Sequence, residues 1–159
     1  MFSLVAAYNK LEYIGKDGKL PWKKTLKKDL QRFKELTMGK ICIVGRKTWE
    51  TLPVLSGREI VVVSKQDKDF DRDGFDYVLQ VDSCEKAMEC CSKYAENFVI
   101  GGGQIYEQMI SYCEKMYLTI VEDDITEGDV KFPKWSLSDW KLEKLEKVDN
   151  LIFSEFKRR

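Results

Sequence analysis

The chain has 159 residues, 43% of them apolar and 34% charged, with 27 basic and 27 acidic side chains. That length suits one domain, which buries roughly 70% of its unfolded-chain surface without disulfide staples. Zero net charge leaves no broad basic field for nucleic acid, and the lack of any histidine removes Ser-His-Asp and Cys-His catalysis.

If the chain is an enzyme, its proton donor is a carboxylate, Tyr, Lys, Cys or water. The N-terminus has no basic leader, and its apolar run is too short for a signal peptide. No stretch approaches the roughly 18 apolar residues of a membrane span. The expectation is a cytoplasmic monomer that binds neither nucleic acid nor membrane.

Residues 2–8 read as a buried strand. Residues 9–25 form a long irregular connection with a turn at Asp17-Gly18, and loops of that length in compact domains are often lids or binding loops. Residues 26–37 read as an amphipathic helix ended by Gly39. Strand 41–44 and a short helix over 47–52 follow, then strands 60–63 and 77–79. Helix 84–95 leads to strand 98–100, three glycines and a helix over 104–112. Strand 116–121 comes next, and the remainder is β-rich. The repetitive Lys-Leu-Glu-Lys-Leu-Glu-Lys at 141–147 reads as a solvated edge strand.

Strands alternate with helices through two-thirds of the chain, and β structure dominates afterwards. The pattern predicts an α/β fold with a largely parallel sheet and antiparallel strands at the end. Five cysteines include no C-x-x-C pair. Cys84, Ala87, Met88, Cys91 and Tyr94 recur at helical spacing, which predicts a core stripe rather than a metal site.

Three strand ends carry anion-friendly chemistry. Gly101-Gly102-Gly103 fails the dinucleotide fingerprint, because the third glycine position falls on Tyr106. It is either a tight crossing that needs no Cβ or a close backbone approach to a ligand, with a helix N-terminus beside it. Gly39 to Thr48 misses the P-loop spacing, yet Arg46, Lys47 and Thr48 stand where a strand gives way to a helix. Ser64 and Lys65 follow a third strand. If these strands are parallel neighbours, the clusters share one edge, which suits a dinucleotide with several phosphates.

On a helical wheel at about 100° per residue, Leu26, Leu30, Phe33 and Leu36 form one stripe, and Asp29 falls inside it near −60°. A carboxylate there is either a first-turn acid serving the helix dipole or a partly buried group that binds or protonates a ligand.

These residues, taken together, resemble dihydrofolate reductase. The matching motifs are Ile14-Gly15, Leu20-Pro21-Trp22 and Asp29-x3-Phe33-x3-Thr37. They continue through Gly45-Arg46-Lys47-Thr48-Trp49-Glu50, Leu55-Ser56-Gly57-Arg58, Val99 to Tyr106, Tyr117-Leu118-Thr119 and Glu127-Gly128-Asp129. They occur in family order over almost the whole chain.

The resemblance implies a single domain over residues 1–159. Its dihydrofolate-reductase-like fold would have a mainly parallel, mixed sheet of about eight strands flanked by about four helices. It implies NADPH-dependent reduction of 7,8-dihydrofolate to tetrahydrofolate, with hydride going to C6 and a proton to N5. The alternative is a reductase of the same fold acting on a pyrimidine intermediate of riboflavin synthesis.

By the same resemblance Asp29 binds the pterin and supports protonation, with Thr119 and Trp22 beside it. Phe33, Leu52 and Leu55 enclose the substrate, Leu30 and Lys34 flank it, and Arg58 clamps its glutamate carboxylate. Val5, Ala6, Ala7, Ile100 and Tyr106 line the pterin and nicotinamide pocket. Gly45, Arg46, Lys47, Thr48, Val63, Ser64 and Lys65 hold the cofactor, with Gly101 to Gly103, Gln104 and Ile105 at its pyrophosphate.

Ile14, Gly15 and Leu20 belong to the cofactor side of a lid over 9–25, which Asp129 can hydrogen-bond from a facing loop, and Ala7 meets the cofactor from the strand before it. Six residues separate Trp22 from Asp29, more than the family usually has. Gln104 stands where some bacterial members carry arginine, so that phosphate contact is lost or passes to another cation such as Lys65. No metal is implied, and the Glu122-Asp-Asp run reads as a solvated turn.

Overall fold

The computed structural model of the chain describes residues 1–66, 70 and 72–159. Strand β1 (Phe2–Asn9) alternates its side chains between two cores. β2 (Tyr13–Gly15) is short, and α1 (Lys27–Thr37) follows. Next come β3 (Ile41–Gly45), α2 (Arg46–Thr51), β4 (Glu59–Val63) and β5 (Tyr77–Val81). α3 (Cys84–Glu89), β6 (Asn97–Gly101) and α4 (Gly103–Met109) lead into a 3-10 turn over Ile110–Tyr112. β7 (Cys113–Val121), β8 (Val130–Lys131), β9 (Trp140–Val148) and β10 (Leu151–Arg158) complete the order.

The main sheet has eight strands in the order β5-β4-β3-β6-β1-β7-β10-β9. Neighbours from β5 through β7 are parallel, and β10 and β9 add antiparallel pairs. The expected mixed α/β fold is therefore the observed one. β9 is the edge strand that residues 141–147 suggest, its lysines and glutamates exposed along nearly its whole length. Charges on an edge discourage pairing with another chain.

Side-chain alternation decides which face each residue serves. Val5, Cys42, Val44, Ile60, Val62, Phe98 and Ile100 form one core with Trp49 of α2, against which Phe33 and Leu36 of α1 pack. Leu4, Ala6, Ile43, Val61, Val99 and Leu118 form the other with Ala87 of α3 and Ile105, Tyr106 and Met109 of α4. The sheet is thus clamped by a core on each face.

Three expectations need correction. The helix expected over 84–95 stops at Glu89. The Asn97 side chain accepts from Ser92 N–H and donates to the Ser92, Ala95 and Met1 carbonyls, so local bonds replace the helix. Tyr94 is consequently fully exposed rather than part of a core stripe. The helix expected over 104–112 tightens to a 3-10 turn after Met109. The connection 9–25 is not structureless: β2 pairs with β8 in a second small sheet, and Asp17-Gly18 closes a turn between Lys16 and Lys19.

Candidate active site

Asp29 lies in the first turn of α1. Thr119 of β7 donates to Asp29 Oδ1 at 2.6 Å. Thr119 is itself buried and pairs with Ala7 of β1 on one side and Phe153 of β10 on the other. Burial raises the Asp29 pKa, and the Thr119 hydrogen bond and the Arg32 charge oppose that rise. The helix-dipole role does not require a partner on the sheet; this carboxylate has one.

The core beneath α1 contains Val5, Leu55 and Ile100, with Phe33 and Leu52 half-buried against it. Leu30 is 52% exposed although it belongs to the apolar stripe, and Lys34, one turn further on, is exposed too. The stripe of α1 is thus buried only in part, with Leu30 left exposed. Ala6 is not brought together with Val5 and Ala7: its side chain points into the opposite core. Tyr106 is on that side as well, but its hydroxyl reaches the carbonyls of Val5 at 2.8 Å and Ile100 at 3.0 Å. One phenol proton shared between β1 and β6 ties the two strands together.

Arg58, just before β4, is 5% exposed. Its Nη1 donates to Thr37 Oγ1 at 3.4 Å, and its Nε is the buried side-chain polar atom without a protein partner among the described residues. A buried guanidinium held by one long bond is costly unless an anion completes it. The geometry fits a carboxylate, which a guanidinium binds through two parallel bonds. Thr37 also donates to the Phe33 carbonyl at 2.7 Å, which ties this site to α1. Arg72 holds the far wall by donating to the Trp49 and Leu52 carbonyls at the C-terminal end of α2, its guanidinium about 5.0 Å from the Trp49 ring centroid. Sequence reading missed Thr37 and Arg72. Thr37 stands in a quoted motif, whereas nothing local marks Arg72.

The three anion-friendly strand ends are neighbours. Gly45 pairs with Val63 and Val44 with Gly101, so the carboxyl ends of β4, β3 and β6 share one edge. Thr48 stands beside Gly102, and Lys47 and Lys65 are exposed. Arg46 is bonded to Glu50 at 3.1 Å. The Ser64 hydroxyl accepts from Gln66 N–H, and that bond leaves its own proton to donate.

The glycines have protein reasons. Gly101 has φ +117°, and a Cβ there would sit 3.1 Å from the Tyr106 hydroxyl. A Cβ on Gly102 would sit 2.7 Å from Thr48 Oγ1, and one on Gly103 2.6 Å from Val130. Ile105 packs against Gly45, and Gln104 is exposed. The run is therefore a tight crossing. That crossing also brings backbone, hydroxyls and cations to one sheet edge, a donor set that fits the phosphates of a dinucleotide.

The segment 9–25 is tied down at its middle. Asp129 Oδ2 accepts from Asp17 N–H at 2.9 Å, and Asp129 N–H donates to the Gly15 carbonyl at 2.9 Å. Ile14 packs on the core, whereas Leu20 is exposed. Trp22 is buried with Val121 and Leu151, with Ala7, Leu26 and Phe153 packed against them. In the 122–124 turn Glu122 pairs with Lys147, Asp123 with Lys24, and Asp124 accepts from Asn9.

A family model described as dihydrofolate reductase matches residues 1–155. The dihydrofolate reductase of Bacillus subtilis (strain 168) is 38% identical over 144 residues, covering 89% of this chain and 81% of the relative. That of Haemophilus influenzae (strain ATCC 51907 / DSM 11121 / KW20 / Rd) is 36% identical, covering 89% and 84%. The structure of dihydrofolate reductase from Enterococcus faecalis complexed with NADP(H) and RAB-propyl superposes with a TM-score of 0.81 at 28% identity, over 100% of this chain and 96% of that one. This chain belongs to the dihydrofolate reductase family, oxidoreductases that reduce dihydrofolate with NADPH.

Proposed function

We propose that Asp29 is the acid on which this chain's reduction of 7,8-dihydrofolate to tetrahydrofolate turns. The observation that carries the reading is its part-buried carboxylate, held at 2.6 Å by Thr119 between α1 and β7. An ionised carboxylate has about four acceptor sites. Thr119 uses one, and the others accept the N–H donors of a pterin edge. Burial favours the protonated form, so the same group supports proton delivery to N5, through water.

Bound NADPH supplies the hydride. Gly45 to Thr48, Ser64, Lys65 and the Gly101–Gly103 crossing hold its phosphates, with Lys65 taking the phosphate contact that Gln104 cannot make as a cation. Phe33, Leu52 and Leu55 enclose the substrate, and Arg58 binds its glutamate carboxylate. The protein acts as a single-domain cytoplasmic monomer without nucleic-acid partners.

The test is loss of 340 nm absorbance from NADPH with and without dihydrofolate. Oxidation of NADPH only when dihydrofolate is present supports the reading. No substrate-dependent loss overturns it.

A further inference from the structure

Arg32 stands three residues after Asp29 on α1. Its Nη1 donates to the Leu118 carbonyl at 3.0 Å and to Thr119 Oγ1 at 3.2 Å, and its Nη2 donates to the Ser154 carbonyl at 2.9 Å. The guanidinium lies over the Phe153 ring, 4.7 Å from the centroid. It lines a groove of about 340 Å³ between α1 and strands β9 and β10. Three bonds and a ring stack define one position for a side chain that is usually loose.

The bond to Thr119 has a direction. A guanidinium has donors and no acceptor. Thr119 Oγ1 therefore accepts from Arg32, and its single proton goes to Asp29 Oδ1. We propose that Arg32 is a positioning residue for the reduction: it fixes the polarity of the Thr119–Asp29 hydrogen bond and confines any proton on Asp29 to Oδ2. The proposal rests on the reading of Asp29 as the reaction's acid.

A hydroxyl oxygen has two acceptor sites; Arg32 fills one, and without it the Thr119 hydroxyl turns more freely and accepts from a protonated Oδ1, a second arrangement that stores the proton on the wrong oxygen. Removing the cation also removes one of the two influences that oppose the burial-driven rise of the Asp29 pKa. The charged and titratable groups around the pair are few. Asp29 faces Arg32 on α1, with the Tyr106 phenol of α4 within electrostatic reach. Arg32 faces Asp29, Tyr117 of β7, Glu155 of β10 and Glu146 of β9. Lys28, Glu35 and Lys144 line the same groove. Glu155 also pairs with Lys115 at 3.7 Å, and the Arg32 charge acts on Asp29 against the rise that burial causes.

The test uses the full chain with 13C-labelled aspartate and follows the Asp29 carboxyl against pH. In Arg32→Met its titration midpoint rises by about one pH unit, the low end of what an adjacent opposite charge does. The pH profile of single-turnover hydride transfer moves the same way. Arg32→Gln, neutral but still a donor, gives the same sign if the methionine variant does not fold. Arg32→Lys stays within half that shift.

Midpoints equal to wild type in both neutral variants overturn the proposal, as does a uniform rate loss at every pH, the mark of packing alone. Asp29→Asn separates the two readings. Full activity in that variant overturns the role of Asp29, whereas an Arg32 effect on the carboxyl titration is read without turnover.

Discussion

The Thr119 hydroxyl reaches Asp29 Oδ1 at 2.6 Å across a sequence separation of 90 residues. The bond joins the first turn of α1 to the middle of β7. It sets a carboxylate against the sheet, where burial raises its pKa despite the opposing effects of Thr119 and Arg32.

That raised value has a consequence for stability. Above the Asp29 midpoint the folded state holds an ionised group that burial disfavours. Below the unfolded value, about 3.9, both states are protonated and the penalty vanishes. The contribution of Asp29 to stability therefore falls as pH rises between those two points. Asp29→Asn, which keeps an oxygen for Thr119 to donate to, is more stable than wild type at pH 7, and the gap closes as pH falls towards 4. Urea unfolding at the two pH values checks this, and a less stable variant at pH 7 contradicts it.

Arg58 is buried with an unpaired Nε. Charge-assisted hydrogen bonds contribute about 1.5–3 kcal/mol. Arg58→Met therefore weakens dihydrofolate binding by roughly 10- to 150-fold and leaves the NADPH Kd within about twofold. The ligand-free protein loses no stability, because an incompletely paired buried charge is removed. Titration calorimetry with each ligand separates the effects, and equal weakening of both ligands counts against the clamp.

Gly101 is a folding requirement before it is a cofactor contact. Its φ of +117° and the nearby Tyr106 hydroxyl make Gly101→Ala strained, at a cost of about 1–3 kcal/mol. At this chain length each kcal/mol lowers Tm by about 2–4 °C. The loss is present without NADPH. A Tm difference seen only with cofactor present would assign the glycine to the ligand instead.

Asp129 restrains the lid through the Asp17 N–H. A hydrogen bond of about 0.5–1.5 kcal/mol slows amide exchange by roughly 2- to 13-fold. Asp129→Ala speeds exchange at Asp17 by that factor and leaves the β1 amides unchanged. Unchanged exchange at Asp17 would show that the turn holds itself.

Much of this was legible in the sequence because it is periodic or local. The wheel places Asp29 in the apolar stripe of α1, and parallel strands ending in Gly45, Val63 and Gly101 put the anion-friendly residues on one edge. The same wheel puts Arg32 about 60° beyond Asp29, so its closeness to the acid could have been read. Its bonds to Leu118, Thr119 and Ser154 could not, because they depend on strands more than 80 residues away.

Ala6 was misplaced for a simpler reason. Consecutive strand residues face opposite ways, so Val5 and Ala7 belong to the cleft side and Ala6 does not. The early end of α3 was hidden because the bonds made by the Asn97 side chain have no periodic signature.

The central claim is that Asp29 carries the proton side of the reduction. Single-turnover hydride transfer, measured for wild type and Asp29→Asn from pH 5 to 8, tests it most directly. The account predicts a rate at pH 7 at least 100-fold below wild type, at the low end of general-acid contributions. It also predicts partial recovery at pH 5, where solvent protonates more of the substrate. A variant that matches wild type across the range would contradict the assignment.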